Sequence, residues 1–384
     1  MNSDHAIIKG LVLKVASRCN LNCEYCYMYN LGDNTYRSQP KVMSCKIVDT
    51  LLITVRTYLA QSGSKTFRFI FHGGEPLMVN YNFYQNFVDK AKELLPAYIN
   101  IDYTIQTNGV LLTEEWCKVL GKLGIRIGIS LDGFSEEENR FRLNHQRKSS
   151  LNDTLLGLRN AQLSAYLKYE PGLLMVINLS NNPDQSYFNC KRLKIRHINY
   201  ALPHGNYHNL PNNFDIKKTN YADWLIRLFD LWFNDRNREK PQITLFNQIL
   251  NLILGGNGVY DNFGTGQNVY LIIETNGDIE PQDSLKICGD GFTKTSLNVQ
   301  THQLRDSLAH PLTKLCIESH QKLCFKCQQC DVVDICGGGI LAHRFNQQNY
   351  FNNPSIYCKD LEKLIRYISI QVESILNNDF LQSK

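Results

Sequence analysis

The sequence predicts an α/β fold with a parallel sheet in its first half and a cysteine-rich region at its C-terminal end. Two observations carry this. Apolar, β-rich runs alternate with helical periodicity over residues 7–202, and most of the thirteen cysteines gather in two places. Strand-like runs fall at 7–15, 67–71, 101–107, 126–131, 173–178 and 195–201, and helical periodicity appears at 48–59, 83–95, 114–123 and 154–167. Strands separated by helices imply parallel βαβ units. Six of them satisfy either a doubly wound sheet or an incomplete barrel, and periodicity does not choose between the two.

A loop rich in Pro, His, Asn and Gly follows at 203–213, then an amphipathic helix at 221–233. Trp224, Leu225, Leu228, Phe229 and Trp232 share one face of that helix and are expected to be core. A glycine-rich stretch at 255–266 leads into a strand–turn unit at 270–279, whose turn is Thr275-Asn276-Gly277-Asp278. A last helix is expected from 361 to about 376.

Composition excludes several classes. In 384 residues, 43% hydrophobic and 20% charged is ordinary for a globular chain of two or three domains. No apolar run is long enough to span a bilayer, and the first fifteen residues lack the basic start of a signal peptide, so a cytoplasmic protein is expected. A net charge of +5 without a basic run does not argue for nucleic acid. An odd count of cysteines in a reducing compartment argues for metal ligation rather than disulfides. Cys45, Cys117 and Cys190 stand apart and are each expected to be a small buried hydrophobe.

Cys19-Asn-Leu-Asn-Cys23-Glu-Tyr-Cys26 directly follows the first strand. Three thiolates leave one coordination position open, which suits a site that does chemistry, whereas structural zinc sites are closed. Soft ligands in this number suit zinc or an iron–sulfur cubane with one free iron. Half of a zinc site completed from elsewhere is the alternative.

CxxxCxxC followed by Tyr27 resembles the radical S-adenosylmethionine (SAM) superfamily. The remaining motifs appear in the family's order: His72-Gly73-Gly74-Glu75-Pro76-Leu77, Gln106-Thr107-Asn108-Gly109 and Ser130-Leu131-Asp132-Gly133, each at the C-terminal end of an expected strand. The resemblance implies a partial (β/α)6 TIM-type barrel over 1–205, a bridging helical region over 206–269 and a SPASM-like domain over 270–384. It also implies S-adenosylmethionine and a 4Fe–4S cluster on Cys19, Cys23 and Cys26. Carbonyls of Gly73, Gly74 and Glu75 would take the cofactor's amino group, and Ser130 and Arg142 its carboxylate, with Arg140 a competitor for that role. Asn108 would line the ribose or adenine pocket and Tyr25 would lie against the adenine.

Cys327-x2-Cys330-x5-Cys336 and Cys358 again supply four soft ligands, which fit a zinc ribbon or an iron–sulfur cluster. The spacing resembles the SPASM extension of peptide-modifying members, implying one auxiliary 4Fe–4S cluster without an open site. A second auxiliary cluster is left open. Two of its usual cysteine positions hold Gln282 and Ile340, and the third has no cysteine before the Gly277 turn. Cys288, Cys316 and Cys324 remain to hold it in altered form, to serve the structure, or to bind nothing.

Further stretches resemble maturases of ribosomally made peptides that join an aromatic carbon to a nearby β-carbon as a cyclophane. These are Ser17-Arg18-Cys19-Asn20-Leu21, Gln39-Pro40, Pro203-His204-Gly205-Asn206, Cys336-Gly337-Gly338-Gly339, His343-Arg344-Phe345 and 351–358. The partners implied are a precursor peptide with a leader and aromatic core residues, and a one-electron reductant of flavodoxin or ferredoxin type. No leader-binding domain is expected ahead of the first strand. Asp283 is the expected catalytic base that removes the ring proton, against the alternative that it caps a turn after Pro281. Anaerobic sulfatase maturation is the alternative within the family, and a zinc-binding scaffold the alternative outside it.

Overall fold

The computed structural model describes residues 6–258, 262–266 and 269–382, with side chains through residue 377. Residues 259–261 of the glycine-rich stretch, and the outermost residues of the first and last expected domains, lie outside the described residues. In chain order the strands and helices are β1 (Ile8–Ala16), α1 (Cys45–Ser62), β2 (Thr66–Gly73), α2 (Tyr81–Leu94), β3 (Asn100–Thr107), α3 (Glu114–Leu123) and β4 (Arg126–Ser130). They continue with α4 (Leu151–Leu163), β5 (Gly172–Val176), α5 (Pro183–Arg192), β6 (His197–Ala201), α6 (Asn220–Asn234), β7 (Gln242–Ile243) and α7 (Thr244–Ile253). The last are β8 (Val269–Ile273), β9 (Ile279–Glu280), α8 (Leu304–Ala309), α9 (Pro311–Ile317), α10 (Phe325–Gln328), α11 (Val333–Cys336) and α12 (Cys358–Gln382). Among the described residues no helix is long and apolar enough to cross a membrane.

The chain divides into two compact units, Met1–Met175 with Asn268–Ile317, and Val176–Gln267 with Glu318–Lys384. In the first, strands run in the order β5-β4-β3-β2-β1-β8-β9, parallel throughout except for the antiparallel β8–β9 pair. β1 is buried on both faces, with Ile8, Leu11, Leu13 and Val15 in the core, as parallel sheets require. Helices α1 to α4 pack in sequence order, each crossover returning the chain to the next parallel strand. Ser44 caps α1 by accepting from the Ile47 N–H, and Thr113 caps α3 by accepting from the Trp116 N–H.

In the second unit α6 packs against α5 and α12, and its expected aromatic face is core. The Trp224 and Trp232 indole N–H groups donate to the Asn181 and Pro241 carbonyls at 2.7 and 2.8 Å.

All six strands expected in the first half form, and the sixth, β6, falls in the second unit. The strand–turn unit forms as β8 and β9, closed by the Gly277 N–H donating to the Glu274 carbonyl. β8 also pairs in parallel with β1, Leu11 opposite Leu271 and Leu13 opposite Ile273. Residues 269–317 therefore join the barrel sheet; the compact units change over within two residues of the expected boundary at 269, but at 175–176 rather than 205, and again at 317–318. The physical reason is that β1 has an open apolar edge, which β8 covers.

A buried ionic cluster fastens this added segment. Lys286 lies 3.1 Å from Glu280 Oε2, 3.2 Å from Glu274 Oε1 and 3.6 Å from Asp33 Oδ2, all four side chains being buried. Asp33 also accepts from the Gly291 N–H at 2.9 Å, tying the chain after the cysteine loop to the segment after β9. Burial alone would lower the Lys286 ammonium, but the three carboxylates hold it above the usual lysine value. Burial and then Glu274 push the Glu280 carboxyl up, against Lys286. Removing the cation would strand three buried carboxylates. Lys286→Met is expected to destabilise the protein by about 3–5 kcal/mol in urea unfolding; a change within about 0.5 kcal/mol would show that the carboxylates are satisfied without it.

Candidate functional site

β1 ends at Ala16 and runs straight into the cysteine loop. The loop is fastened on both sides. On one, the Gly74 and Glu75 N–H groups at the end of β2 donate to the Ala16 and Arg18 carbonyls at 2.8 and 3.0 Å. On the other, Asn22 and Glu24 donate to the Leu143 and Phe141 carbonyls at 2.7 and 3.0 Å. Gly74 is obligatory: a Cβ there would stand 2.1 Å from the Tyr29 hydroxyl and 2.2 Å from the Arg18 carbonyl.

The three thiols act on one another electrostatically. Burial raises each of them, Cys26 to about 11, while Met28 and Tyr29 N–H groups favour its thiolate. Cys19 Sγ accepts from the Leu21 N–H at 3.4 Å and the Asn108 amide at 3.7 Å. Donors aimed at sulfur suit a ligand that becomes a thiolate on binding metal. Among the described residues no three His, Cys, Asp or Glu side chains converge as ligands of a single ion. A cubane asks for something else, because each thiolate binds a different iron.

The motif residues brace one another. Glu75 is fully buried and accepts from Thr107 Oγ1 at 2.6 Å, the Asn108 N–H at 2.8 Å and the Leu77 N–H at 2.9 Å. Burial raises its carboxyl and these donors oppose the rise. The Asn108 amide donates to Asn20 Oδ1 at 2.7 Å, inside the cysteine loop. Ser130 Oγ accepts from the Gln106 amide at 2.9 Å. The Tyr25 hydroxyl accepts from Arg142 Nη1 at 2.9 Å and donates to Asp132, whose Oδ1 is 4.0 Å from Arg142. Arg142 Nε is buried with no hydrogen-bond partner among the described residues, and its charge also reaches Cys23. A buried guanidinium with an unused N–H fits an incoming carboxylate. Arg140 instead pairs with Glu137 and lies over the Phe141 ring.

Asp283 does not cap a turn. Its Oδ2 accepts from Lys14 Nζ at 2.5 Å and from the Tyr27 hydroxyl at 2.8 Å, and it is 18% exposed where Lys14 is fully buried. Burial would raise this carboxyl, but Lys14 and His72 hold it well below the usual carboxylate range. His72 Nδ1 lies 3.3 Å from Lys14 Nζ. Burial, reinforced by Lys14, pulls the imidazole down to about 4, so it is neutral near pH 7. Lys14, Tyr27, His72 and Asp132 were not singled out as site residues from sequence. Tyr27, His72 and Asp132 sit within or beside motifs, whereas Lys14 is a single polar residue inside β1.

In the second unit Cys324 is the N-cap residue just before α10 and Cys327 lies within it, Cys336 ends α11 and Cys358 begins α12. Cys327 responds to Cys324 and Cys358, and Cys336 to Cys358 and Cys330, so these five thiols form one neighbourhood. Cys288 lies in the first unit and its thiol is raised by burial alone.

Because the folded-state Asp283 carboxyl is depressed, its stabilising contribution is complete above the unfolded carboxylate value and is lost as pH falls toward the folded value. In urea melts, the stability lost by Asp283→Asn is expected to be constant above about pH 5 and to shrink below about pH 4. A penalty that grows on acidification would contradict the ion pair.

Residues 13–165 match the family described as the Radical SAM superfamily. The cysteine-type anaerobic sulfatase-maturating enzyme of Clostridium novyi (strain NT) is 28% identical over 359 residues, spanning 92% of each chain. The serine-type enzyme of Bacteroides thetaiotaomicron is 26% identical, spanning 88% of this chain and 83% of that one. Among solved structures, native anSMEcpe with bound AdoMet and Kp18Cys peptide superposes with a TM-score of 0.83 at 20% identity, covering 96% of this chain and 99% of that one. Streptococcus suis SuiB bound to S-adenosylmethionine superposes at 0.61 and 17% identity, covering 92% and 78%. Residues 13–165 accordingly carry the radical SAM match, the fold is a mixed α/β partial barrel of that kind, and S-adenosylmethionine and 4Fe–4S are its cofactors.

Proposed function

We propose that this protein is a peptide maturase that oxidises a substrate side chain at its β-carbon and passes the proton released afterwards to Asp283. The observation that carries this reading is an ionised carboxylate, still 18% exposed, bonded to Tyr27 beside cluster ligand Cys26. The full-length likeness to sulfatase-maturating enzymes and the peptide seen in anSMEcpe support a peptide or protein substrate.

In this reading Cys19, Cys23 and Cys26 hold the cluster with one iron open. Arg142 and Ser130 hold the cofactor's carboxylate, Gly73 to Glu75 its amino group, and Asn108 and Tyr25 its nucleoside end. When bound, these cofactors supply one-electron cleavage and a carbon radical that takes a hydrogen atom. Cys327, Cys330, Cys336 and Cys358 would hold a closed cluster suited to receiving one electron.

The favoured product is a crosslink between the β-carbon and an aromatic carbon. Gln282 and Ile340, standing where sulfatase-maturing relatives of the family carry cluster cysteines, support this departure from formylglycine chemistry. The β-carbon radical adds to the ring, one electron leaves, and the ring C–H proton passes to Asp283, so the peptide loses two hydrogens. Lys14 makes Asp283 a weak base, but a ring that has lost an electron is a strong acid, so a weak base suffices. Formylglycine formation begins at the same β-hydrogen, and the full-length relatives favour it as the second reading.

Anaerobic incubation with a peptide carrying both an aromatic residue and a target Cys or Ser tests the pair. The crosslink is read as two hydrogens lost with both residues in one fragment; a trapped aldehyde and no crosslink would overturn it in favour of formylglycine. Asp283→Asn is expected to lower product formation by about 10²–10⁴-fold while 5′-deoxyadenosine is still made. Normal product from this variant would remove Asp283 from the reaction. Replacing Cys19, Cys23 and Cys26 together with Ala should abolish 5′-deoxyadenosine yet leave the C-terminal iron. Replacing Cys336 alone should cost product more than cofactor cleavage. Zinc without iron in the C-terminal set would favour the scaffold reading of that region.

A further inference from the structure

Arg344, in the second unit, is 1% exposed. Its Nε donates to the Gly338 carbonyl at 2.9 Å, Nη1 to the Ser319 carbonyl at 2.7 Å, and Nη2 to the Gly337 and Gly339 carbonyls, both at 2.8 Å. Gly337, Gly338 and Gly339 all have positive φ (58°, 78° and 67°), which turns successive carbonyls onto the guanidinium. A Cβ at Gly338 would stand 2.7 Å from Nη2. The glycine run that follows Cys336 thus builds a socket for this one side chain.

Carbonyls satisfy N–H groups but do not neutralise a charge. Arginine cannot shed its proton, so a buried guanidinium needs an anion nearby. Among the described residues no carboxylate pairs with Arg344, and the groups that support its charge are Cys327, Cys336 and Cys324. Thiols become anions when they ligate metal.

We infer that Arg344 is the built-in counter-charge of an iron–sulfur cluster on Cys327, Cys330, Cys336 and Cys358, and that it raises that cluster's reduction potential. This rests on the closed cluster proposed above. Four thiolates leave the cluster anionic, and reduction adds one more negative charge, which a fixed cation in a low-dielectric site stabilises. A raised potential suits a centre that accepts the electron lost by the substrate. Arg344 is a positioning residue in this role, because it acts through the cluster and not on the peptide.

The measurement is a redox titration of the full chain, followed by electron paramagnetic resonance. Cys19, Cys23 and Cys26 are replaced by Ala so that the C-terminal signal stands alone. Arg344→Met should shift the midpoint to lower potential by at least tenfold in the reduction equilibrium, about 59 mV for one electron. Arg344→Lys, which keeps the charge and loses most of the carbonyl bonds, should stay near the parent value. An unchanged midpoint in Arg344→Met, or equal shifts in both variants, would overturn the counter-charge.

A second measurement needs no change at residue 344. A permanent cation makes reduction independent of pH, so the midpoint should be flat between about pH 6 and about pH 9. The titratable groups facing this region are the Cys324 thiol beside Cys327, the Tyr207 hydroxyl near Cys358, His320, whose Nδ1 is 2.7 Å from the Gly337 carbonyl, His343 against His204, and Lys326 and Glu362 beside Cys358. A fall of about 59 mV per pH unit would mean that one of these takes up a proton on reduction, and would overturn the inference. Metal content separates this from failure of the cluster itself, since zinc without iron would overturn the reading underneath.

Discussion

A fully buried ammonium at the centre of the sheet is the constraint on which the first unit depends. Lys14 lies on β1, the strand that also delivers the cysteine loop, and an unpaired charge there would not be tolerated. Its carboxylate partner, Asp283, arrives from 269 residues further along the chain. To bring it there, β8 pairs along β1, β9 turns the chain back, and Lys286 ties the following segment to Asp33 beyond the cysteine loop. One ion pair thus closes the sheet and sets an anion beside the cysteine loop.

The motif loops divide their work in the same spirit. Glu75, Asn108 and Asp132 stand in three different motifs, yet their side chains are engaged in bracing: Glu75 to Thr107, Asn108 to Asn20, Asp132 to Tyr25. Such cross-bracing holds ligands to the narrow tolerances that pre-organised sites need. The capacity left for a charged ligand is concentrated in Arg142, whose Nε is unused.

Three buried cations show three ways of being neutralised. Lys14 faces one carboxylate, Lys286 faces three, and Arg344 faces carbonyls and thiols. The first two pairings are complete within the protein. Arg344 has carbonyls and thiols around it and, among the described residues, no carboxylate.

Much of this was legible in the sequence because it is local. The six barrel strands, the aromatic face of α6, the β8–β9 turn and the cysteine spacings are each written within a few residues, by hydrophobic period, turn chemistry or ligand geometry. Asp283 stood out through the family resemblance, next to Gln282 at one of the usual cysteine positions. What holds it did not. Lys14 is a single polar residue inside a strand, and His72, though it opens a motif, carries no sign of the lysine it faces. The parallel pairing of β8 with β1 joins segments more than 250 residues apart, and an edge open to pairing leaves no mark on either run. The glycines after Cys336 were legible as a motif, but their purpose, three carbonyls turned onto one guanidinium, exists only when Arg344 is folded against them. Local pattern determined the elements and the ligand types. Tertiary structure decided which charges meet, because a buried charge is matched through space and not along the chain.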